Sequence, residues 1–342
     1  MIIRLTFLER FLHRLHLLPT PIMDAFGGVL FGRALAIALR RGVFEALALD
    51  HKDVADIAAH THLNIAGVEL LLESFVAVGY VRIDHNHYSL TAETRKWLLK
   101  DSPSYIGNLV RYFETLYERW GYLEHSLEHG IPPRRYYEKF TAEDWKVYVH
   151  AMRDLARLIV GEVMKRIDLP ESSRQLLDLG GSHGLYAIEC CRRHPMLKAT
   201  IIDLPEALRH TEQIVAEERM TDRVRPVAGD FMRMELPSAQ DCVFLFNVIH
   251  GLTEEENRAL INRAFQTLTP GGKLYILDQL REERRGSGLA KFMPLMVGLN
   301  LLNEIGGNTY AYAQVQSWCK GAASVKRIRL RTPGISLVEV SR

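Results

Sequence analysis

The stretch "LLDLGGSHGLY", residues 176–186, contains the residue types of a ligand-binding turn. An acid, Asp178, is followed by three closely spaced glycines, Gly180, Gly181 and Gly184. Glycines let the backbone turn sharply and let a ligand come closer than a side chain would permit. The middle glycine of the dinucleotide fingerprint G-x-G-x-x-G is missing, so the pattern does not specify a dinucleotide. A tight turn that binds no ligand remains the alternative.

Two further acids stand where the next two strands should end. Asp203 closes "LKATIID", and Asp230 precedes Phe231 in "GDF". A carboxylate at the first position can accept hydrogen bonds from both hydroxyls of a ribose, which is a geometry shared by NAD and S-adenosylmethionine sites. The second acid can bind an adenine amino group while the aromatic ring covers the base. Together with the glycine turn, these residues predict a site for a nucleoside-containing ligand.

A candidate base follows the fourth predicted strand. His250 lies in "NVIHGL", at the same edge of the sheet. A neutral imidazole there could accept the proton of a substrate hydroxyl. Asp278 ends the fifth strand and could orient that imidazole, as the third group of a nucleophile–base–orienter arrangement does. The alternative is a histidine with a structural role only, whose hydrogen bonds are satisfied at the end of the strand.

The elements that must position these residues alternate between strand and helix from Arg174 onward. The strands are predicted in "RQLLDLG", "LKATIID", "RVRPVAGD", "DCVFLFNVI" and "GKLYILDQL". Thr253, with Glu256 three residues later, marks the start of the helix before the last of these strands. The pattern predicts a doubly wound parallel sheet. At the C-terminus, "SVKRIRLRT" and "ISLVEVS" flank a Pro-Gly turn, which predicts an antiparallel pair at the sheet edge.

The region before residue 106 predicts helices and one hairpin. Residues 53–61 and 64–80 form a helix-turn-helix pattern, and two short strands around a polar turn follow, which is a winged-helix arrangement. Glu69 and Glu73 lie on the second helix, which has no Lys or Arg, whereas DNA contacts need donors there. We therefore predict a dimerisation module and no nucleic-acid partner.

The chain divides by pattern into three parts: 1–105, a winged-helix dimerisation domain; 106–170, an aromatic-rich helical linker that contributes to the substrate pocket; and 171–342, a ligand-binding catalytic domain. Charges interrupt the N-terminal segment "MIIRLTFLERFLHRLHLL", so neither a signal peptide nor stable membrane insertion is predicted. Its leucines recur at helical spacing (Leu5, Leu8, Leu12 and Leu15). We expect an amphipathic helix that packs on a partner subunit; membrane-surface contact or an organelle address is the alternative.

Composition excludes several classes of protein. The 342 residues are 47% apolar and 25% charged, with a net charge of +2, so no global field favours nucleic acid or a membrane. Four cysteines lack metal-type spacing and are too few for a disulfide framework. The histidine pairs at 60/62 and 85/87 lie in polar turns without other ligands, so no metal site is predicted. A cytoplasmic location fits these features.

In order along the chain, "LLDLGGSHG", "IIDLP", "GDF", "NVIHGL", "TPGGKLYILD" and the closing hairpin resemble the S-adenosylmethionine-dependent O-methyltransferases that carry an N-terminal winged-helix dimerisation domain. That family includes plant caffeic-acid-type enzymes and bacterial polyketide and pigment enzymes, which act in secondary metabolism. The resemblance spans the chain. It implies a class I methyltransferase fold, which is Rossmann-like, and a homodimer whose N-terminal helices contribute to each other's pockets.

The resemblance also implies roles for individual residues. His250 would be the general base, with Asp278 beside it. The methyl donor would be held by Asp178, Gly180, Gly181, Ser182, Gly184, Asp203, Leu204, Gly229, Asp230, Phe231 and Asn247. The acceptor site would be lined by Met152, Met296 and Asn300.

Several positions depart from the family pattern. Ser182 replaces the third of three consecutive glycines, and its small side chain still suits the turn. The family's His-Asp-Trp reads His-Gly-Leu at 250–252, and Phe246 replaces a lysine that is common four residues before the histidine. Thr309 stands near the place of a second acid in plant members. Asp278 is then the remaining carboxylate partner of the base.

The favoured function is O-methylation of a hydroxyl on a hydrophobic aromatic or pigment-like small molecule. The apolar, Met-containing stretch 290–303 suits a large flat acceptor. One alternative is methylation of carbon or nitrogen on the same fold, for example a tetrapyrrole carbon. Another is a family member that binds the donor without transferring its methyl group.

Overall fold

A computed structural model of the chain describes residues 6–49, 53–281 and 288–342. The chain divides into two compact units, Met1–Tyr117 and Glu118–Arg342. The three-part division expected from the sequence stays a prediction.

The first unit consists of helices and one hairpin. Its helices are α1 (Phe7–Arg14), α2 (Thr20–Arg41), α3 (Val43–Ala48), α4 (Val54–Thr61), α5 (Ile65–Val78), α6 (Ala92–Leu98) and α7 (Gly107–Glu114), and its antiparallel strands are β1 (Val81–Asp84) and β2 (His87–Leu90). Phe44, Leu72 and Phe75 are fully buried in its core. The helix–helix–hairpin order predicted from the sequence is therefore present.

The N-terminal helix α1 begins where local chemistry favours it. Thr6 accepts a hydrogen bond from the N–H of Glu9, and the Glu9 carboxylate accepts the N–H of Thr6, which together form a capping box. Leu5, which belongs to the predicted apolar stripe, lies outside the described residues. Among the described helices, α2 alone is long and apolar enough to cross a membrane by itself, a test that core helices of globular proteins also pass.

The second unit follows the predicted alternation. Its helices are α8 (Leu116–Trp120, which starts in the first unit), α9 (Leu123–His129), α10 (Ala142–Met164), α11 (Leu185–Arg193), α12 (Pro205–Leu208), α13 (Thr211–Glu217), α14 (Glu254–Thr267), α15 (Leu289–Ile305) and α16 (Tyr312–Trp318). Its strands are β3 (Gln175–Leu179), β4 (Lys198–Asp203), β5 (Val224–Ala228), β6 (Gln240–Phe246), β7 (Leu268–Gln279), β8 (Ser324–Arg329) and β9 (Ile335–Ser341). Short 3₁₀ helices span Tyr136–Lys139 and Ile249–Gly251.

These strands form one sheet of order β5-β4-β3-β6-β7-β9-β8. The first five strands of that order pair in parallel, whereas β9 is antiparallel to both β7 and β8. Apolar clusters cover both faces of the sheet. This confirms the predicted doubly wound sheet with an antiparallel ending. Because the strand order reverses between β3 and β6, a crevice opens at their carboxyl ends, where such sheets bind ligands.

Candidate active site

The glycine turn after β3 leaves no room for side chains. Gly180 and Gly184 have positive φ angles of 73° and 70°. A Cβ atom at Gly180 would lie 2.7 Å from Cγ2 of Val248, and one at Gly181 would lie 2.5 Å from Oδ2 of Asp178. The backbone of the turn is thus packed against the side chains of Val248 and Asp178. Gly180 and Gly181 stay partly exposed, which leaves their backbone accessible to a ligand.

Ser182 takes the third place of the turn in a left-handed backbone conformation that favours glycine. Its φ is 32°, its N–H donates to Oδ2 of Asp203 at 3.0 Å, and its carbonyl accepts from the hydroxyl of Thr211 at 2.6 Å. The N–H of Leu204 donates to the other carboxylate oxygen at 2.8 Å. These bonds fix the orientation of the acid expected to bind the ribose. Thr211 was missed at the sequence level, because a lone threonine at a helix start carries no distinctive spacing.

The "GDF" segment lies beside this turn. The N–H of Gly229 donates to the carbonyl of Asp203 at 2.9 Å, which ties the end of β5 to the end of β4. The ring of Phe231 reaches within 3.7 Å of where a Cβ on Gly180 would stand. Asp230 accepts a backbone N–H through Oδ1 at 2.9 Å. The structure therefore brings together the residues predicted to hold a nucleoside.

Two carboxyl groups at this edge have pKa values well above the ordinary range. Burial, and then the nearby charge of Asp203, raises the pKa of Asp178 to about 7. Burial raises the pKa of Asp203 to about 6, although the N–H groups of Leu204 and Ser182 oppose the shift. Within the described residues, Oδ2 of Asp178 has no hydrogen-bond partner. Buried acids beside a backbone cradle suit a ligand that brings positive charge, which would favour their ionised forms.

The base candidate and its partner are in direct contact. Nδ1 of His250 lies 2.8 Å from Oδ1 of Asp278, which also accepts the N–H of Gln279 at 2.7 Å. Burial lowers the pKa of His250, but the charge and hydrogen bond of Asp278 outweigh burial and raise it overall. Asn247, exposed and with φ of 56°, starts the turn before the histidine, and its N–H donates to the carbonyl of Leu277 on β7. Since a carboxylate only accepts, Nδ1 carries the proton of the neutral imidazole and Nε2 is left as an acceptor.

The residues predicted to line the acceptor site lie on two helices and are half-buried. Met152 is on α10, and Met296 and Asn300 are one turn apart on α15. The amide of Asn300 accepts from the indole N–H of Trp120 at 2.8 Å and donates to Glu304 at 3.2 Å. α15, which carries two of the residues predicted to line the acceptor site, therefore has a polar network as well as apolar side chains.

That network includes a buried ion pair that sequence reasoning missed. Oε1 of Glu304, which is 3% exposed, lies 2.5 Å from Nε of Arg119. The sequence did contain a signal for this pair: Glu304 is a single acid in an apolar run just before Gly306 and Gly307. A lone charge in a buried helix needs a partner. The pair fixes α15 against the end of α8.

Aromatic side chains from the predicted linker form a cluster around the same arginine. The guanidinium of Arg119 stands 5.4 Å from the ring centre of Tyr136 and 5.7 Å from that of Phe140. Trp145 and Tyr148 pack edge-on at 5.9 Å, and both contact the ring of Phe140. Burial raises the pKa of Tyr148 to about 12, so its hydroxyl stays protonated. The cluster packs the rings of Tyr136, Phe140, Trp145 and Tyr148 against one another.

Two departures from the family pattern are used for packing. Phe246 stacks on Phe244 at 4.3 Å and meets Tyr186 edge-on at 5.0 Å, so the position of the family's lysine belongs to the core here. Thr309 is fully buried, and its hydroxyl donates to the carbonyl of Pro294 on α15 at 2.9 Å. Neither side chain carries charge to the histidine.

A seven-stranded sheet with an antiparallel ending, a glycine turn and acids at successive strand ends define the class of S-adenosylmethionine-dependent methyltransferases. Comparison with known proteins then places the chain more closely. The family model of the O-methyltransferase domain matches residues 119–322, and the chain belongs to that family. It is an S-adenosylmethionine-dependent O-methyltransferase.

Several individual proteins are similar over most of their length. A 3-hydroxy-5-methyl-1-naphthoate 3-O-methyltransferase of Streptomyces sahachiroi is 26% identical over 327 residues, covering 92% of this chain and 93% of the relative. An acetylserotonin O-methyltransferase of Macaca mulatta is 29% identical, covering 81% and 83%. The crystal structure of human N-acetylserotonin methyltransferase with S-adenosylmethionine superposes with a TM-score of 0.81 at 23% identity, covering 94% and 97%. The last shows that the fold is shared.

Proposed function

We propose that this enzyme methylates a hydroxyl group on a hydrophobic aromatic small molecule, with His250 as the general base. The hydrogen bond between His250 and Asp278, at the same sheet edge as the glycine turn, carries the proposal. Two of the similar proteins are named for methylating a hydroxynaphthoate and acetylserotonin. The aromatic cluster around Arg119 and the apolar face of α15 suit a flat acceptor of that kind.

The chemistry assigned to the chain's own residues is positioning and proton transfer. S-adenosylmethionine, when bound, supplies a methyl carbon activated by its sulfonium. The glycine turn and Asp203 would hold its nucleoside end, with Asp230 and Phe231 at the adenine. Asp278 keeps the proton on Nδ1 of His250, so that Nε2 can take the proton of the acceptor hydroxyl as the new bond to oxygen forms.

The proposal is tested with labelled S-adenosylmethionine and a panel of acceptors. The panel contains a hydroxynaphthoate, a hydroxyindole, a flavonoid, a quinone and a tetrapyrrole, and product structures distinguish transfer to oxygen from transfer to carbon or nitrogen. His250→Ala should lower turnover by about 10²–10⁴-fold with donor affinity unchanged. His129→Ala, a change at an exposed histidine on α9, is the matched control. Undiminished turnover in the His250 variant would refute the assignment of His250 as the general base.

We further propose that the chain is a cytoplasmic homodimer formed through residues 1–105, with its N-terminal helices reaching the partner's acceptor site. Many large apolar side chains exposed on neighbouring segments are typical of a surface that is covered by a partner in water. Large apolar side chains are exposed on α1, α2 and their connection: Phe7, Leu8, Phe11, Leu15, Leu17, Ile22, Phe26, Val29 and Leu30. Sedimentation should show a dimer that Phe26→Glu weakens, whereas a monomer at all concentrations would refute this.

A further inference from the structure

The turn that follows the acceptor helix touches the backbone of the proposed base. The N–H of Asn308 donates to the carbonyl of His250 at 2.9 Å. A Cβ atom at Gly307 would overlap that carbonyl oxygen and lie 3.3 Å from its carbon. Only glycine therefore lets the 306–311 segment seat against the histidine without one of the two backbones moving.

The same segment is hydrogen-bonded to the chain that follows His250 and to the chain that follows Asp278. The hydroxyl of Tyr310 donates to the carbonyl of Leu252 at 2.5 Å, two residues after His250. Its carbonyl accepts the N–H of Arg281 at 2.9 Å, three residues after Asp278. Tyr310 thus links the chain just after His250 to the chain just after Asp278.

The segment is in turn fixed to the acceptor helix α15. Gly306 ends that helix with φ of 73°, and the N–H of Gly307 donates to the carbonyl of Leu301 at 3.1 Å. Thr309 closes the turn through its bond to Pro294. A rigid chain of contacts therefore runs from the helix that carries the predicted acceptor residues to the backbone of the base.

We propose that Gly307 is a positioning residue for methyl transfer, which seats His250 between Asp278 and the acceptor helix. The inference rests on the proposed role of His250 as the base. Adding one methyl group must move the histidine backbone or the turn, because the two overlap. Misplacement of a catalytic group by about 1 Å can cost about 10²-fold in rate.

The variant Gly307→Ala tests the proposal. We expect kcat to fall by about 10–10²-fold while the affinity for S-adenosylmethionine and the KM of the acceptor change little. We also expect the acid limb of the pH profile of kcat to move to lower pH, since a displaced imidazole loses part of its contact with Asp278. The control is Gly161→Ala on α10, where an added Cβ would meet no described atom within 4 Å outside its own helix.

Tyr310→Phe provides a second variant in case the alanine protein does not fold. It deletes the hydroxyl bonded to Leu252 and keeps the ring, which packs edge-on against Trp318 at 4.8 Å. A smaller loss of kcat with the same movement of the acid limb is expected. A folded Gly307→Ala protein with the parent's kcat and pH profile overturns the inference. If Gly307→Ala does not fold, a Tyr310→Phe protein with the parent's kcat and pH profile overturns it.

Failure of this inference can be distinguished from failure of the proposed function. If His250→Ala retains full turnover, the base assignment is wrong and Gly307 has nothing to position. If His250→Ala is inactive while the folded Gly307→Ala protein behaves like the parent, only the positioning role is refuted.

Discussion

Replacing Asp278 with Asn should change both the pKa and the tautomer of His250. The carboxylate oxygen lies 2.8 Å from Nδ1, and Asp278 is 1% exposed. Its charge is what raises the histidine pKa against the effect of burial. An adjacent opposite charge is worth about 1–3 pKa units, or about 1.4–4 kcal/mol. With that charge removed and burial unchanged, the pKa of His250 should fall by about that amount.

The amide also cannot reproduce the hydrogen bonds of the carboxylate. If its oxygen faces Nδ1, its NH₂ group takes the place of Oδ2, which has no partner among the described residues. If its NH₂ faces Nδ1 instead, the imidazole proton moves to Nε2, which can then accept nothing from the acceptor hydroxyl. Turnover at the pH optimum should therefore fall by roughly 10²–10⁴-fold.

The assay is kcat against pH with labelled S-adenosylmethionine and the best acceptor of the panel. Activity requires neutral His250, so it rises as pH increases through the pKa. In Asp278→Asn the midpoint of that rise should move to lower pH while the plateau drops. Asp222→Asn, at an exposed carboxylate, is the control. An unmoved midpoint with undiminished kcat would show that Asp278 does not act on the base.

Three other changes test the donor site and the core. Gly181→Ala should weaken donor binding at least ~10²-fold by calorimetry, because its Cβ would press on the Asp178 carboxylate, whereas Gly161→Ala should not. Binding of the cationic donor should strengthen as pH rises from about 5 to 8, by up to about tenfold per unit for each of the two acids, and release protons, because Asp178 and Asp203 ionise near pH 7 and 6; a flat profile would contradict this. Phe246→Ala should lower the free energy of unfolding by about 3–5 kcal/mol in urea titrations, and a smaller loss would show that the stacked ring is not needed for packing.

The donor site could be predicted from sequence because its residues follow strand ends. Asp178, Asp203 and Asp230 each close or follow a run of apolar residues, and parallel strands bring their carboxyl ends to one edge. The fold could be predicted from two features of the sequence, which are the alternation of strands and helices and the pair of strands at the C-terminus. The contact between His250 and Asp278 follows from the pairing of neighbouring strands β6 and β7.

The acceptor site could not be predicted to the same depth. The ion pair of Glu304 with Arg119 joins residues far apart in the chain, and no spacing rule links them. No spacing rule links Thr211 to Ser182, whose carbonyl it bonds, or Gly307 to His250, against which it packs. Such contacts depend on how helices pack on the sheet, which the local pattern does not encode.

The departures around the histidine have a common physical consequence. Where the family has an acid after the base, Gly251 lets Ile305 of α15 approach within 3.3 Å of the Cβ position. Where plant members have a second acid, Thr309 bonds to α15 instead. The lost charges are thus replaced by packing and hydrogen-bond contacts with α15. One carboxylate is enough to set the tautomer, because only Nδ1 of His250 has to be held protonated. The proton of the acceptor hydroxyl must then pass to a single imidazole, which favours the more acidic hydroxyls that are carried directly on an aromatic ring.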